Sequence, residues 1–218
     1  MAIGIPVNIG TAQGTTATVV ITTSATANVG DLILVATVMN GMGASAVIDS
    51  AGNTYTQDKT GTNSVILRVW RTIVTTQLVS GGTITITGSL GFQLTTTASL
   101  TTGITSPPLD VAGTAATGTS ATPSGSVTTL NAVDLIIGVV GYGSSATLTP
   151  VGAPWTELTG NEVSSANVHW AYQIVAATST YTYNPVISSG VNWVDYVLSY
   201  KATASGGTPQ LMLLGVGI

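Results

Sequence analysis

The sequence contains no cysteine, a single histidine and very few charged side chains. Without cysteine the chain forms neither disulfides nor thiolate metal sites, which excludes the disulfide-rich secreted scaffolds. Lys and Arg together number 4 and the net charge is −4, so no basic surface is available to neutralise nucleic-acid phosphates. Charged residues make up 6% of the chain, against about 25% in an average domain. We therefore expect a surface of hydroxyl, amide and glycine groups.

Long apolar runs are also missing. The longest, Leu32 to Ala36 and Leu211 to Leu214, are far shorter than the roughly 18 residues that a membrane-spanning helix needs, so no membrane partner is expected. Residues 1–8 lack the basic and apolar segments of a signal peptide, which predicts an unprocessed N-terminus. A mean hydropathy of +0.49 argues against disorder. The chain is expected to fold.

Threonine and serine are abundant, with 39 and 20 residues, and apolar residues alternate with polar ones along most of the chain. Alternation with many β-branched residues is typical of half-buried strands. Short strands separated by frequent turns predict an all-β fold, an antiparallel β-sandwich or jelly roll. The predicted strands are Thr16 to Thr22, Asp31 to Met39, Val65 to Val74, Thr83 to Thr87, Gln93 to Thr101, Asp134 to Val140, Asn167 to Val175, Thr180 to Tyr183 and Val191 to Tyr200.

Three segments recur at offsets of 97 to 103 residues, which indicates a pseudo-repeat of two halves within residues 1–203, about 15–104 and 118–203. The recurring pairs are Asn28 to Val35 with Asn131 to Gly138, Arg71 to Val74 with Tyr172 to Val175, and Thr83 to Thr87 with Thr180 to Asn184. Two small sandwiches, or two sets of strands within one double-sheet domain, would both produce this pattern, and we favour the second. The intervening segment, 105–126, is predicted to be a crossover.

Residues 204–218 differ from the rest of the chain. A linker with two adjacent glycines leads into an apolar terminal octet, 211–218. A final strand of the same domain, or simple disorder, would accommodate it, but we favour a docking arm that binds a neighbouring subunit by β-augmentation. The arm residues are Leu211, Met212, Leu213, Leu214, Val216 and Ile218.

The sequence gives little sign of catalytic chemistry. The single His169 is expected to be a partly exposed strand residue with no acid nearby, and no Gly-x-Ser-x-Gly motif supplies a nucleophile. Glu157 and Glu162 could form a glycosidase pair, but a solvated hairpin is the favoured interpretation. We therefore predict no enzymatic activity, no catalytic residues, no cofactor and no metal ligands.

The segment from Asp49 to Tyr55 has the residues of a tight hairpin turn. Asp49 can accept backbone amides, Gly52 permits a positive φ, and Asn53 tolerates a left-handed conformation. A weak Ca²⁺ site on Asp49 and Asn53 is the alternative, although the spaced acids of a calcium loop are missing. Asp31 and Asp134 both precede apolar strands and are expected to bind turn amides.

Aromatic residues are concentrated in the second half of the chain. Most are expected to fill the core, because large aromatics supply the burial that a sandwich needs. The alternative is a glycan-binding platform that uses Trp155 in its loop.

Four segments of the chain have a characteristic order: Asn-Val-Gly-Asp-Leu-Ile-Leu-Val-Ala at 28–36, Asp-Ser-Ala-Gly-Asn-Thr-Tyr-Thr at 49–56, Thr-Gly-Thr-Ser-Ala-Thr-Pro-Ser at 117–124 and Asp-Leu-Ile-Ile-Gly-Val-Val at 134–140. An aromatic-rich strand around Trp70 and the strand Thr-Ile-Thr-Ile-Thr at 83–87 lie between the second and third. Together they resemble the jelly-roll domains of tailed-phage virion proteins, which include decoration and minor structural proteins of the head or tail, and related bacterial surface proteins. The resemblance covers about residues 15–200, implies no catalytic residues and leaves the arm outside it.

From this resemblance and the low charge we expect a non-enzymatic virion structural protein, with a capsid decoration (cement) protein favoured, which binds neighbouring subunits through sheet edges, loops and the C-terminal arm. The expected partners are the major capsid or tail protein and further copies of the chain in a homo-oligomer. The expected location is the virion, assembled in the host cytoplasm. The alternative is a receptor- or glycan-binding module of a tail fibre or surface adhesin.

Overall fold

The computed structural model describes residues 2–41 and 44–203, which form strands and loops and contain no helix. Among these residues, therefore, no helix could cross a membrane. Every strand pairing is antiparallel, and the all-β architecture is consistent with a β-sandwich. The prediction of an all-β antiparallel fold is thus confirmed.

The strands are β1 (Val7–Gly14), β2 (Thr18–Thr22), β3 (Leu32–Met39), β4 (Ala46–Asp49), β5 (Thr56–Asn63), β6 (Val65–Ile73), β7 (Thr83–Thr87), β8 (Leu94–Thr101), β9 (Ile104–Ala112), β10 (Ala116–Ser120), β11 (Gly125–Thr128), β12 (Asp134–Tyr142), β13 (Leu148–Thr149), β14 (Thr156–Asn161), β15 (Asn167–Val175), β16 (Thr180–Tyr183), β17 (Val186–Ile187) and β18 (Val191–Ala202).

These strands are distributed over two large and three small sheets. The first large sheet has the order β1-β8-β3-β6-β5, and the first outer sheet has the order β2-β7-β4. The second large sheet has the order β10-β18-β12-β15-β14, with β9 also paired to β18. The pairs β11-β16 and β13-β17 form the second outer layer.

The sheets are stacked in four layers, because each large sheet has an apolar core on both of its faces. On β3, Leu34 points to a central core that also contains Ile137 of β12. Its neighbour Val35 points the other way, to a core shared with the first outer sheet. On β12, Ile136 likewise faces a third core beneath the second outer layer. A single pair of sheets, which the sequence favoured, does not describe this packing.

Burial on both faces explains the nearly unbroken apolar runs of the central strands. All residues of β3 and β12 are buried, as is typical of strands covered on both sides. The strands at the sheet edges, such as β5 and β10, alternate between exposed and half-buried residues. The alternating pattern of half-buried strands therefore applies to the periphery and not to the centre.

All nine predicted strands are present, but the sequence missed several short or polar ones. The prediction that 105–126 is a crossover is wrong, since β9 and β10 lie within it and pair with successive parts of β18. Pro107 and Pro108 lie on β9. Proline is tolerated there because β9 is an edge strand, on which not every backbone N–H has a ladder partner.

The two halves of the chain meet through polar side chains as well as through the central core. Tyr196 donates a hydrogen bond of 2.6 Å to the backbone oxygen of Leu67. The Asn63 amide donates to the Gly118 backbone oxygen at 2.8 Å. At the opposite edge, the Asn161 amide donates to the Ala12 backbone oxygen at 2.7 Å. These bonds fix the position of one large sheet on the other.

Candidate interaction surface

Nearly all of the charged residues are buried or half-buried. All 12 Lys, Arg, Asp and Glu residues lie in the described part of the chain, and of these only Glu162 is an exposed residue. Four aspartates are buried and the remaining charged residues are half-buried. The part of the surface that the structure describes therefore carries few charges, and most of these are partly covered.

The outward face of the first outer sheet is a grid of hydroxyl and methyl groups. Val20 on β2 and Ile48 on β4 both lie opposite Thr85 on β7, so the three form a row across the sheet. Val20 is 47% exposed and Ile48 is 58% exposed. Thr18 and Ala46 flank Thr87 in the next row. This face offers hydrogen bonds and apolar contact without charge.

The second outer layer presents a similar face at the other end of the stack. Thr128 and Thr180 are paired across β11 and β16, and their hydroxyl oxygens lie 2.8 Å apart. Ser126 and Thr182 form the neighbouring pair. All four residues are exposed. The two outermost faces of the molecule therefore share one chemistry.

A pocket of about 720 Å³ lies where the start of β9, the loop before β12 and the end of β18 come together. Its walls are small and mostly uncharged, and Lys201 is the one charged wall residue. The wall residues are Ala2, Thr105, Ser106, Pro107, Asn131, Ala132, Val133, Lys201, Ala202 and Thr203. Exposed apolar groups flank the pocket, since Leu130 is 75% exposed and Val133 is 47% exposed.

The predicted docking arm, Leu211, Met212, Leu213, Leu214, Val216 and Ile218, lies outside the described residues. The described chain ends at Thr203, which is itself a wall residue of the pocket. The linker to the arm therefore begins at this pocket.

Two neighbouring aspartates, the half-buried Asp110 and the buried Asp134, lie close to the pocket. Asp110 accepts hydrogen bonds from the Leu130 backbone N–H at 2.8 Å and from the Ser199 hydroxyl at 3.3 Å. Burial raises the pKa of Asp110, but these donors outweigh it and hold the pKa below its usual value. Burial and the neighbouring Asp110 carboxyl raise the pKa of Asp134 to about 7. Asp134 does not bind turn amides, as Asp31 does through Asn28 N–H at 2.8 Å.

Two further carboxyl groups in the second half, those of the buried Asp195 and the half-buried Glu157, also have raised pKa values. Asp195 is 0% exposed, no hydrogen bond reaches its carboxyl oxygens, and burial raises its pKa well above the usual value. Burial also raises the pKa of Glu157 to about 7, although the Val151 backbone N–H lowers it in part. Glu157 and Glu162 are therefore in very different surroundings, and the expected solvated hairpin describes only Glu162.

Asp49 and Asn53 hold the loop between β4 and β5. One Asp49 oxygen accepts the backbone N–H groups of Ala51 and Asn53 at 3.0 Å each, and the other accepts the Asn53 amide and the Tyr55 hydroxyl. Gly52 has a φ of 82°. The segment is not a simple hairpin, because β4 and β5 belong to different sheets. These donors occupy the carboxylate that a calcium ion would need.

Metal-binding geometry is likewise missing from the residues described. In residues 2–41 and 44–203, no group of three or more His, Asp or Glu side chains could hold a metal ion.

Trp155 is inside the molecule and does not form a platform. It is 6% exposed, and its indole N–H donates to the Thr182 backbone oxygen at 3.0 Å. Its ring meets Tyr183 edge-on at a centroid distance of 5.0 Å. An exposed glycan contact at Trp155 is therefore wrong, because tertiary packing places the ring in the third core.

The expectation that no acid lies near His169 is also wrong. His169 Nε2 lies 2.6 Å from a Glu162 carboxylate oxygen, and its ring stacks on Tyr142. Burial lowers the pKa of His169, while the Glu162 carboxylate acts in the opposite direction. The signal was available in the hairpin register, since Asn161 pairs with Val168 and this places Glu162 diagonal to His169.

The structure thus brings together the neighbouring Asp110 and Asp134, an open pocket and two uncharged outer faces. Comparison of the chain with protein-family models, curated proteins and solved structures gives no match. Function is therefore argued from the chain's own geometry and chemistry.

Proposed function

We propose that the chain is a non-enzymatic structural protein of a virus particle, and specifically a capsid decoration protein. The sparsely charged surface carries this proposal, because of the 12 charged residues only Glu162 is exposed. Burying an uncharged hydroxyl and methyl surface against a neighbour requires no desolvation of ions. A molecule with so little surface charge also has weak colloidal repulsion. Both properties suit a protein packed among many copies.

The arrangement of strands supports the jelly roll that the resemblance implies, together with the pseudo-repeat of two halves that the recurring segments indicate. In an eight-stranded jelly roll the first, eighth, third and sixth strands form one sheet. The order β1-β8-β3-β6 fits this scheme, and β2-β7-β4 fits the second sheet, although β5 departs from it by pairing with β6 in the first sheet. The order β10-β18-β12-β15 repeats it in the second half. The recurring sequence segments fall on corresponding strands, among them β3 and β12.

The proposed partners are a major capsid or tail protein and further copies of the chain, within a virion assembled in the host cytoplasm. Contact would be made through the outer faces, the edge strands and the arm at 211–218. A glycan-binding module is the weaker proposal, since the burial of Trp155 removes its main candidate contact.

The experiment alters the charge of one outer face in the full chain. Val20→Lys with Ile48→Lys places two cations on the exposed face of the first outer sheet, and Val20→Thr with Ile48→Thr is the neutral control. Particles produced by a genome that encodes the chain are purified, and its copy number is measured by quantitative mass spectrometry.

We expect the lysine pair to reduce incorporation while the threonine pair leaves it unchanged. A second full-length variant, Leu211→Asp with Leu213→Asp, tests the arm in the same assay and should also reduce incorporation. Absence of the parent chain from particles, or turnover of a substrate by the pure protein, would refute the proposal.

A further inference from the structure

We propose that, before assembly, the pocket between β9, β12 and β18 is occupied by the apolar octet 211–218 of the same chain. This inference rests on the proposed function, in which that octet is the docking arm. It adds a site on the same chain that binds the octet until the chain joins a particle.

The described part of the chain ends in the wall of the pocket. The pocket wall includes Lys201, Ala202 and Thr203, so the segment that carries the octet leaves the described structure at the pocket itself. The seven residues 204–210 include Gly206 and Gly207. Glycine- and serine-rich segments of this length have an end-to-end distance of about 15 Å, which is enough to reach back to a pocket of about 720 Å³.

The side chains of the pocket wall suit an uncharged occupant. Most wall side chains are small and uncharged, including Pro107, Ala132 and Val133. The volume is within the range of pockets that take a drug-sized ligand, which is also the size of a short apolar peptide. Leu130, with 75% of its surface exposed, stands next to the wall residue Asn131. An apolar segment lying in the pocket would cover such surface.

Effective concentration decides between the chain's own octet and that of a second copy. A short flexible tether gives an intramolecular concentration in the millimolar range. In a dilute solution the octets of other copies are present at only micromolar concentration. The octet of the same chain therefore binds the pocket in preference to theirs. Within a particle, neighbouring octets are also at high local concentration and can exchange into the pocket. Holding the octet in this way also keeps a Leu-Met-Leu-Leu cluster from exposing an aggregation-prone patch.

The natural absence of cysteine allows a direct test by disulfide trapping. Ala132→Cys is introduced in the exposed part of the pocket wall and Leu213→Cys in the octet of the full chain, and the protein is oxidised at micromolar concentration. We expect a cross-link within the monomer, seen as faster migration on a non-reducing gel and loss of two hydrogens in the intact mass. The control pair, Val20→Cys with Leu213→Cys, should not form it.

A second measurement does not depend on disulfide geometry. In the single variant Leu213→Cys, the rate of thiol modification reports how often the octet leaves the pocket. Occupancy above nine-tenths slows modification about tenfold relative to the denatured chain, and adding Ala132→Trp, which fills the pocket, should restore the fast rate. Cross-linked dimers, or fast modification in both variants, would overturn the proposal.

The two proposals fail separately. If trapping fails while Leu211→Asp with Leu213→Asp still blocks incorporation into particles, the octet is a docking arm that is not held in this pocket. If trapping succeeds while incorporation is unaffected by those substitutions, the pocket inference stands and the arm's role in assembly is wrong.

Discussion

The Tyr200 hydroxyl donates a hydrogen bond of 2.9 Å to the carboxylate of Asp58, and the two residues belong to different halves of the chain. Asp58 also forms an ion pair with Arg71, and its side chain is 1% exposed. Burial raises the pKa of Asp58 to about 6, with Arg71 and Tyr200 limiting the rise. A buried charge is thus shared between the two large sheets.

Tyr200→Phe should destabilise the fold. The substitution removes one donor from a buried carboxylate, a loss that costs about 1–3 kcal/mol. Tyr181→Phe is the control, because that hydroxyl bonds to the exposed Ala177 backbone oxygen and its loss should change stability by less than about 0.5 kcal/mol. The free energy of unfolding in urea measures both. Equal effects would show that the Tyr200–Asp58 bond does not hold the halves together.

Stability should fall as the pH rises from about 4 to about 7. Folding raises the pKa values of Asp134 and Glu157 to about 7 and that of Asp58 to about 6, and it raises the pKa of Asp195 as well, whereas it lowers those of Asp110 and His169. Because the raised groups are the more numerous, we expect the folded chain to bind more protons than the unfolded chain within this range. Their contribution is therefore complete below the unfolded pKa and is lost as the pH passes the folded pKa, by about 1.4 kcal/mol for each unit of difference. Thermal unfolding between pH 4 and pH 8 measures this, and a rise in stability with pH would contradict it.

Asp134→Asn should reduce that pH dependence. The variant lacks the titrating group, and its amide is uncharged at every pH, as the protonated Asp134 carboxyl is at low pH. We expect it to resemble the parent at pH 4, where Asp134 is uncharged, and to be more stable than the parent at pH 8. If the two pH profiles have the same slope, Asp134 does not contribute to it.

Gly138→Ala should be destabilising because a Cβ atom at this position would lie 2.4 Å from Cγ of Tyr183. Tyr183 is fully buried, and overpacking of this kind costs about 1–3 kcal/mol. Gly190→Ala is the matched control, since the nearest atom to its Cβ would be 3.9 Å away. Denaturant titration of both variants is the test. A neutral Gly138→Ala would mean that the third core can move apart easily.

Asn53→Ala should lower the free energy of unfolding by more than is usual for a substitution in a loop. The Asn53 side chain donates to Asp49 and to the Thr76 backbone oxygen, and it accepts the backbone N–H groups of Thr75 and Thr76. Each buried partner left without its bond costs about 1–3 kcal/mol. Asn184→Ala, at an exposed position, provides the comparison. A midpoint of unfolding that is the same in both variants would contradict the structural role of Asn53.

The sequence by itself determined the features that depend on neighbouring residues. Alternation and β-branched side chains located the nine stronger strands, since successive side chains of a strand face opposite sides. The order of Asp49, Gly52 and Asn53 predicted a turn, because all of its interactions are local. The Asp49 carboxylate accepts the backbone N–H of Asn53, and Gly52 between them has a positive φ. The scarcity of charge was likewise a property of composition alone.

The tertiary structure alone decided what depends on pairing between distant segments. The four layers, the pairing of β9 and β10 with β18, and the burial of Trp155 arise from packing between strands far apart in the chain. The same holds for the bond from Tyr200 to Asp58, whose residues are separated by 142 positions. Local periodicity says which side chains share a face of a strand, but which sheet covers that face is fixed by the packing of whole layers.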